Sequence, residues 1–194
     1  QSFDSEDDSY RHSELLTSSI QDILNENNLG VKDLSAVSIG IGPGSFTGLR
    51  IGFSVAKGLC YPHNINLIGI SSLKIIANSV IKENKNIISL IKDKGEHYYI
   101  SKYSSDLIEI MQPKIQLIDS DYMSSILDKE SIIVVNSNES KEFISQIVKE
   151  KTKVFSRTIS SIDMISLSDK SFEEKKFEDI AYIEPMYVKK PYVS

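Results

Sequence analysis

Apolar positions recur along the chain in two rhythms. Between Arg11 and Glu26, the residues Leu15, Leu16, Ile20, Ile23 and Leu24 fall three to four apart. They define one broad face of a helix, which Asn27-Asn28-Leu29-Gly30 stops. Val37, Ile39 and Ile41 alternate with small residues and predict a strand over 36–41. Residues 45–61 read as a second helix, ended by Pro62, and 65–70 as a second strand. A strand-helix-strand unit of this length predicts two parallel strands joined by a right-handed crossover. Ser71 or Ser72 caps a further helix over 73–82.

After Asn84-Lys85-Asn86 the rhythm changes. Strands are expected over 86–91, 97–103, 107–111 and 115–118, with Lys94-Gly95 as a turn. A helix near 120–127, a strand over 131–135 and a helix over 140–150 then alternate. A short strand at 154–155, a helix over 159–167 and a charged linker over 170–176 complete the pattern. There is no internal repeat and no low-complexity tract, and the change of rhythm puts a boundary near 80–86.

The second helix carries the densest signal. Six of the nine glycines fall between Gly40 and Gly58. Gly44, Gly48, Gly52 and Ala56 follow at four-residue spacing, which places them on one face of a helix. Glycine costs a helix about 1 kcal/mol relative to alanine, so such a stripe needs a packing reason. A face nearly bare of side chains lets another backbone come close. Thr47, Arg50, Ser54, Lys57 and Tyr61 share one narrow polar arc, and the remaining positions are apolar or small. That apolar arc is far wider than the ~100° stripe of a one-sided surface helix. One side is expected to face the helix's own sheet. The other faces either the rest of its domain or a partner helix.

Composition narrows the function. With 22 Lys and Arg against 27 Asp and Glu, the formal net charge is −5, which argues against strong independent binding to nucleic acid. No apolar run approaches the ~20 residues of a membrane span, and no secretory signal pattern is visible. The single Cys60 excludes a disulfide framework, and together these features point to a reducing cytoplasm. A P-loop would need Gly-x-x-x-x-Gly-Lys, but Gly48 is followed by Leu49-Arg50. A dinucleotide fingerprint fails because Gly40-x-Gly42 leads to Ser45 and the second strand ends in Ser71-Ser72. The Gly-Pro-Gly-Ser run ahead of the helix either holds an anion or simply permits a tight strand-to-helix turn. His12, His63 and His97 have no ligand-spaced partners, so no metal site is expected. His12, on the first helix's apolar face, reads as a packed or interfacial histidine. Lys129-Glu130 reads as a solvated face. No catalytic residues and no cofactor are expected.

Three segments carry a family resemblance. The string Ile39-Gly-Ile-Gly-Pro-Gly-Ser-Phe-Thr-Gly-Leu-Arg-Ile-Gly, followed by Ala56-Lys57-Gly58-Leu59 and Ile68-Gly69-Ile70-Ser71-Ser72-Leu73, resembles the bacterial TsaB family. Arg11-His12-Ser13-Glu14 is similar to the start of that family's first long helix, and Glu184-Pro185-x-Tyr187 to its closing segment. The likeness is dense over 11–77 and sparse over 86–180. It implies an α/β, actin-like or sugar-kinase-like (ribonuclease H-like) fold of two lobes. Residues 1–82 would form a lobe with partner-binding helices and 83–194 a second lobe, the last 15 or so residues returning to the first. The family's opening strand hairpin, with its Asp-Thr-Ser-like motif, has no counterpart ahead of Arg11, so the sequence is expected to be part of a longer one. Where the family has Asp-Ala-Arg before a Gly-Glu-x-Tyr strand, this chain has Ile91-Lys92-Asp93 before Lys94 and Gly95-Glu96-His97-Tyr98.

The resemblance implies work in making threonylcarbamoyladenosine beside the tRNA anticodon. There the paralogue TsaD transfers the group with TsaE as ATPase, and TsaB is a non-catalytic partner. TsaD carries a His-x-x-x-His metal motif after its second strand. The matching positions here are Ser72 and Ile76, which cannot replace imidazole ligands. The expected partners are therefore TsaD and TsaE, a second copy of the chain when TsaD is absent, and tRNA only indirectly. His12, Leu15, Leu16, Ile20, Gly48, Leu49, Gly52, Phe53 and Ala56 are the candidate contact residues. The alternative is a small-molecule kinase or ATPase of the same fold, which needs phosphate loops and a carboxylate for Mg²⁺ that the motifs do not supply.

Overall fold

A computed structural model describes residues 5–188, and describes side chains from Leu15 onward. The chain divides into two compact units. The first holds the residues up to Ile41, then Ser45–Gly69 and Ser168–Pro185. The second holds Gly42–Gly44, Ile70–Leu167 and the residues from Met186.

The first unit begins with α1 (Ser5–Glu26), longer than its apolar pattern predicts. Its stop is made by Asn28, which takes a left-handed φ of 54°, while the Leu29 amide reaches back to the Leu24 carbonyl at 2.9 Å. Strand β1 (Ala36–Gly42) leads into α2 (Phe46–Cys60), and β2 (Asn66–Ser71) pairs with β1 in a two-stranded sheet. Ser45 caps α2, its hydroxyl accepting the Gly48 N–H at 3.3 Å. Ala56, Cys60, Ile65 and Leu67 form the core of this unit, with Val31, Leu34, Val37, Ile39, Ile180 and Ile183 packed around them. The last two come from the returning C-terminal segment, where the Glu178 amide bonds the Leu67 carbonyl at 2.8 Å in an antiparallel bridge. Gly69 sits under that segment. A Cβ there would meet Ile41 Cγ2 at 2.7 Å and Glu178 Oε1 at 3.0 Å.

The second unit is built on a five-stranded sheet of β3 (Asn86–Lys92), β4 (His97–Tyr103), β5 (Glu109–Leu117), β6 (Ser131–Val135) and β7 (Val154–Ser156). Their order is β5-β4-β3-β6-β7. β3–β4 and β4–β5 are antiparallel, whereas β3–β6 and β6–β7 are parallel, as the intervening helices α4 (Ser120–Ile126) and α5 (Asn138–Ile147) require. Ile88, Leu90, Tyr98, Ile100, Ile133 and Val135 share one face and pack with Met123 of α4 and Ile144 of α5. The other face receives α3 (Ser72–Asn78), whose Leu73, Ile76 and Ala77 are fully buried. Asn78 fixes the end of α3 by donating to the Asp163 carbonyl at 2.7 Å.

Three expectations change. The helix over 73–82 stops at Asn78, because a short 3₁₀ turn at Ile81–Glu83 and a left-handed Asn84 intervene before β3. The strands at 107–111 and 115–118 are one strand, β5, with Pro113 inside it. Ile100 pairs with Lys114 and Lys102 with Met111, so Gln112 and Pro113 together stand opposite Ser101 as a bulge. A proline is tolerated there because β5 is an edge strand. The helix over 159–167 and the linker over 170–176 give way to α6 (Ile165–Glu173), preceded by a 3₁₀ turn at Ile162–Met164. Among the described residues no helix is long and apolar enough to cross a membrane.

Candidate functional site

The glycine stripe lies on α2 as its spacing predicts, and its surroundings are open. A Cβ built at Gly44, Gly52 or Gly58 meets no described atom within 4 Å, and one at Gly48 meets only its own cap, Ser45. Among the described residues no backbone therefore uses the close approach that these glycines allow. Ala56, the next residue of the four-step series, is 2% exposed and belongs to the core of the first unit. Along α2 the stripe thus runs from an unoccupied N-terminal half to a packed C-terminal half.

Apolar side chains on the same unit stay in solvent. Leu15 is 60%, Ile23 59% and Phe46 53% exposed, and Leu16 is also exposed. Ile20 and Leu49 are half-buried, and Leu24 anchors α1 by being buried. α1 and α2 touch each other, so these residues belong to one pair of neighbouring helices. The Arg50 guanidinium stacks 3.9 Å above the Phe46 ring and covers part of it. Phe53 is only 6% exposed, so it holds α2 in place and offers no free surface. His12 lies in α1, but its side chain falls outside the described residues.

The remaining chemistry is sparse. Among the described residues no three His, Cys, Asp or Glu side chains lie close enough together to hold a metal ion. Ser72 and Ile76, the positions of the paralogue's metal motif, are buried in α3, 7% and 0% exposed. The Cys60 thiol is buried, which pushes its pKa up.

One polar cluster of the second unit had no signal in the sequence. Burial pushes the Asp128 carboxyl up, but hydrogen bonds from Lys102, Ser131 and Asn86 outweigh it and hold it well below the usual carboxylate range. Lys102 Nζ donates to Asp128 Oδ2 at 2.9 Å and to the Ile126 carbonyl at 2.7 Å. Ser131 Oγ donates to Asp128 Oδ1 at 2.7 Å, and Asn86 Nδ2 to Asp128 Oδ2 at 3.1 Å. The cluster ties β3, β4 and β6 to the end of α4. Asn86 lies 42 residues from Asp128, on a strand whose register with β6 the sequence does not spell out.

An α/β chain with a mixed sheet in this order, and a second unit of sheet and helices, has the actin-like, ribonuclease H-like fold. A family model described as TsaD, tRNA N6-adenosine threonylcarbamoyltransferase, matches residues 6–191, and the chain belongs to that family. Within it the resemblance to TsaB holds. The chain is 32% identical to the tRNA threonylcarbamoyladenosine biosynthesis protein TsaB of Escherichia coli, over 49% of this chain and 42% of that protein. It is 27% identical to TsaB of Bacillus subtilis, over 72% of this chain and 63% of that one. The chain thus spans about half the length of the curated relatives it matches. Among solved structures, YeaZ from Pseudomonas aeruginosa superposes with a TM-score of 0.77 at 17% identity, over 91% of this chain and 84% of that one.

Proposed function

We propose that this protein takes part in forming threonylcarbamoyladenosine on tRNA as a non-catalytic subunit that docks a TsaD transferase through α1 and α2. The observation that carries the reading is the empty glycine stripe flanked by exposed Leu15, Leu16, Ile23 and Phe46. The glycines weaken the helix and have no tenant among the described residues, so a second molecule gives them their reason. Covering the exposed part of each apolar side chain contributes of the order of 1 kcal/mol. The same surface pairs two copies of the chain when the transferase is absent, since one patch facing itself makes a two-fold contact. TsaE joins the assembly through the transferase pair. The buried Ser72 and Ile76 support a subunit without its own metal chemistry.

Gly52→Leu tests the docking. A Cβ there meets no described atom within 4 Å, and leucine replaces a poor helix former by a good one, so the fold is expected to survive with an unchanged or higher melting temperature. The new side chain stands where a partner's backbone would approach. Size-exclusion chromatography of the full-length protein with TsaD is expected to show co-elution lost for Gly52→Leu and kept for Ser54→Ala on the polar arc. Co-elution of Gly52→Leu with TsaD at wild-type affinity would rule out docking on this stripe.

A further inference from the structure

The second unit carries a groove of about 660 Å³ whose walls are basic. Its apolar floor is Leu127, Ile147 and Val148, and Ser124 and Thr152 add hydroxyls, while the Ser131 hydroxyl is spent on Asp128. Lys129, Lys149 and Lys151 line it and are exposed. Among the described residues none of the three forms an ion pair, although Lys85, Lys92, Lys102, Lys153 and Lys176 all do. The acidic neighbours in sequence do not neutralise them. Glu130 pairs with Lys85 outside the lining, and Glu150 is not part of the wall. The one acid that lines the groove, Asp128, is already bonded by Lys102, Ser131 and Asn86. In a chain of net charge −5, three unpaired lysines around one hollow make a local excess of positive charge.

We infer that this groove contacts the phosphate backbone of the RNA substrate. The inference rests on the proposed role in tRNA modification, and it adds a direct contact where the overall charge suggests none. Lysine ammonium groups bind phosphate as flexible point charges, and serine and threonine hydroxyls donate to the phosphate oxygens. Such contacts position an RNA without reading its sequence, and they release counterions when they form. Asp128 does not repel the RNA, because its charge is compensated within the unit. A structural role competes with this reading: Lys149 and Lys151 follow the C-terminus of α5, whose last carbonyls attract cations. The two roles separate by measurement, because a helix-end role changes stability and a phosphate role changes salt dependence.

The test uses the full-length protein in complex with TsaD and an unmodified tRNA transcript. K129Q/K149Q/K151Q keeps polar, flexible side chains and removes three charges. Binding is expected to weaken about ten- to a hundredfold at 0.1 M salt, and the slope of log K against log [salt] to shallow by about 2–3. K149Q/K151Q, the milder variant, should show about two-thirds of that slope change. Co-elution with TsaD and the melting temperature stay at wild-type values. If the TsaD complex fails to form even with the wild-type chain, the proposed function itself falls. If the complex forms and the salt slope does not move, the groove does not hold RNA. A fall in melting temperature with unchanged tRNA binding assigns the lysines to the helix ends, and lost association with a protein component at unchanged tRNA affinity assigns them to an acidic partner. Either result overturns the inference.

Discussion

Asp128 is a residue whose charge is worth more to the fold than its exposed position suggests. Its carboxylate accepts from Lys102, Ser131 and Asn86, and from the Glu130 amide at 3.0 Å, so neutralising it weakens the bonds of four donors and removes its ion pair with Lys102. Its folded pKa lies below the ordinary value of about 3.9, so its stabilising effect is present above that pH and is lost as pH falls through the folded value. Asp128→Asn should therefore destabilise the protein at pH 7 by about 1 kcal/mol, a figure kept low because the side chain is partly exposed. The gap between wild type and variant should narrow below about pH 4, as read by urea denaturation at pH 7, 5 and 3. A gap that is constant over this range would show that the carboxylate's charge contributes nothing.

Two glycines show how elements, not residue types, decide a substitution. Gly69 lies in β2, where a methyl group would meet Ile41 Cγ2 at 2.7 Å and Ile183 Cδ1 at 3.3 Å. Gly52 lies in α2 with open space above it. Gly69→Ala should cost about 1–3 kcal/mol by overpacking, whereas Gly52→Ala should gain up to about 1 kcal/mol from helix propensity. At roughly 2–4 °C per kcal/mol for a chain of this size, thermal melts would separate the two in sign. The sequence showed Gly52 in a stripe because a period of four is written along one helix. It showed nothing of Gly69, whose neighbours come from β1 and from residues more than a hundred positions away. The same divide runs through the other elements. β4 and β6 were legible because apolar β-branched and aromatic residues fill them, and the resemblance at residues 39–73 pointed to the fold. The continuity of β5 through Pro113 is not legible in the sequence, since only its place at the sheet's edge excuses a proline. The start of α6 is hidden in the sequence because Ile159 and Ile162 imitate a helical face while lying exposed ahead of it. Phe53 and Ala56 are buried on the same helix whose other apolar positions are exposed, and periodicity alone does not tell the inward side of a doubly apolar helix from the outward one.

At the scale of the molecule, the two units are held by different means. The second has a five-stranded sheet covered on both faces by helices, with a core drawn from many sequence distances. The first has a two-stranded sheet, a form that is marginal alone, and it gains Ile180 and Ile183 from the returning segment. The second unit carries a sheet edge that discourages pairing. β5 is nine residues long and carries Ile108 and Ile110 in solvent nearby, the profile of a strand that recruits strangers. The kink around Pro113 breaks its row of amides midway. Pro113→Val would straighten that rim and restore a donor, so the variant should form fibrils or amorphous deposits on gentle warming, visible as thioflavin fluorescence or turbidity well below its melting temperature. A single ring-closed residue would then be what keeps crowded copies of this protein from zipping together.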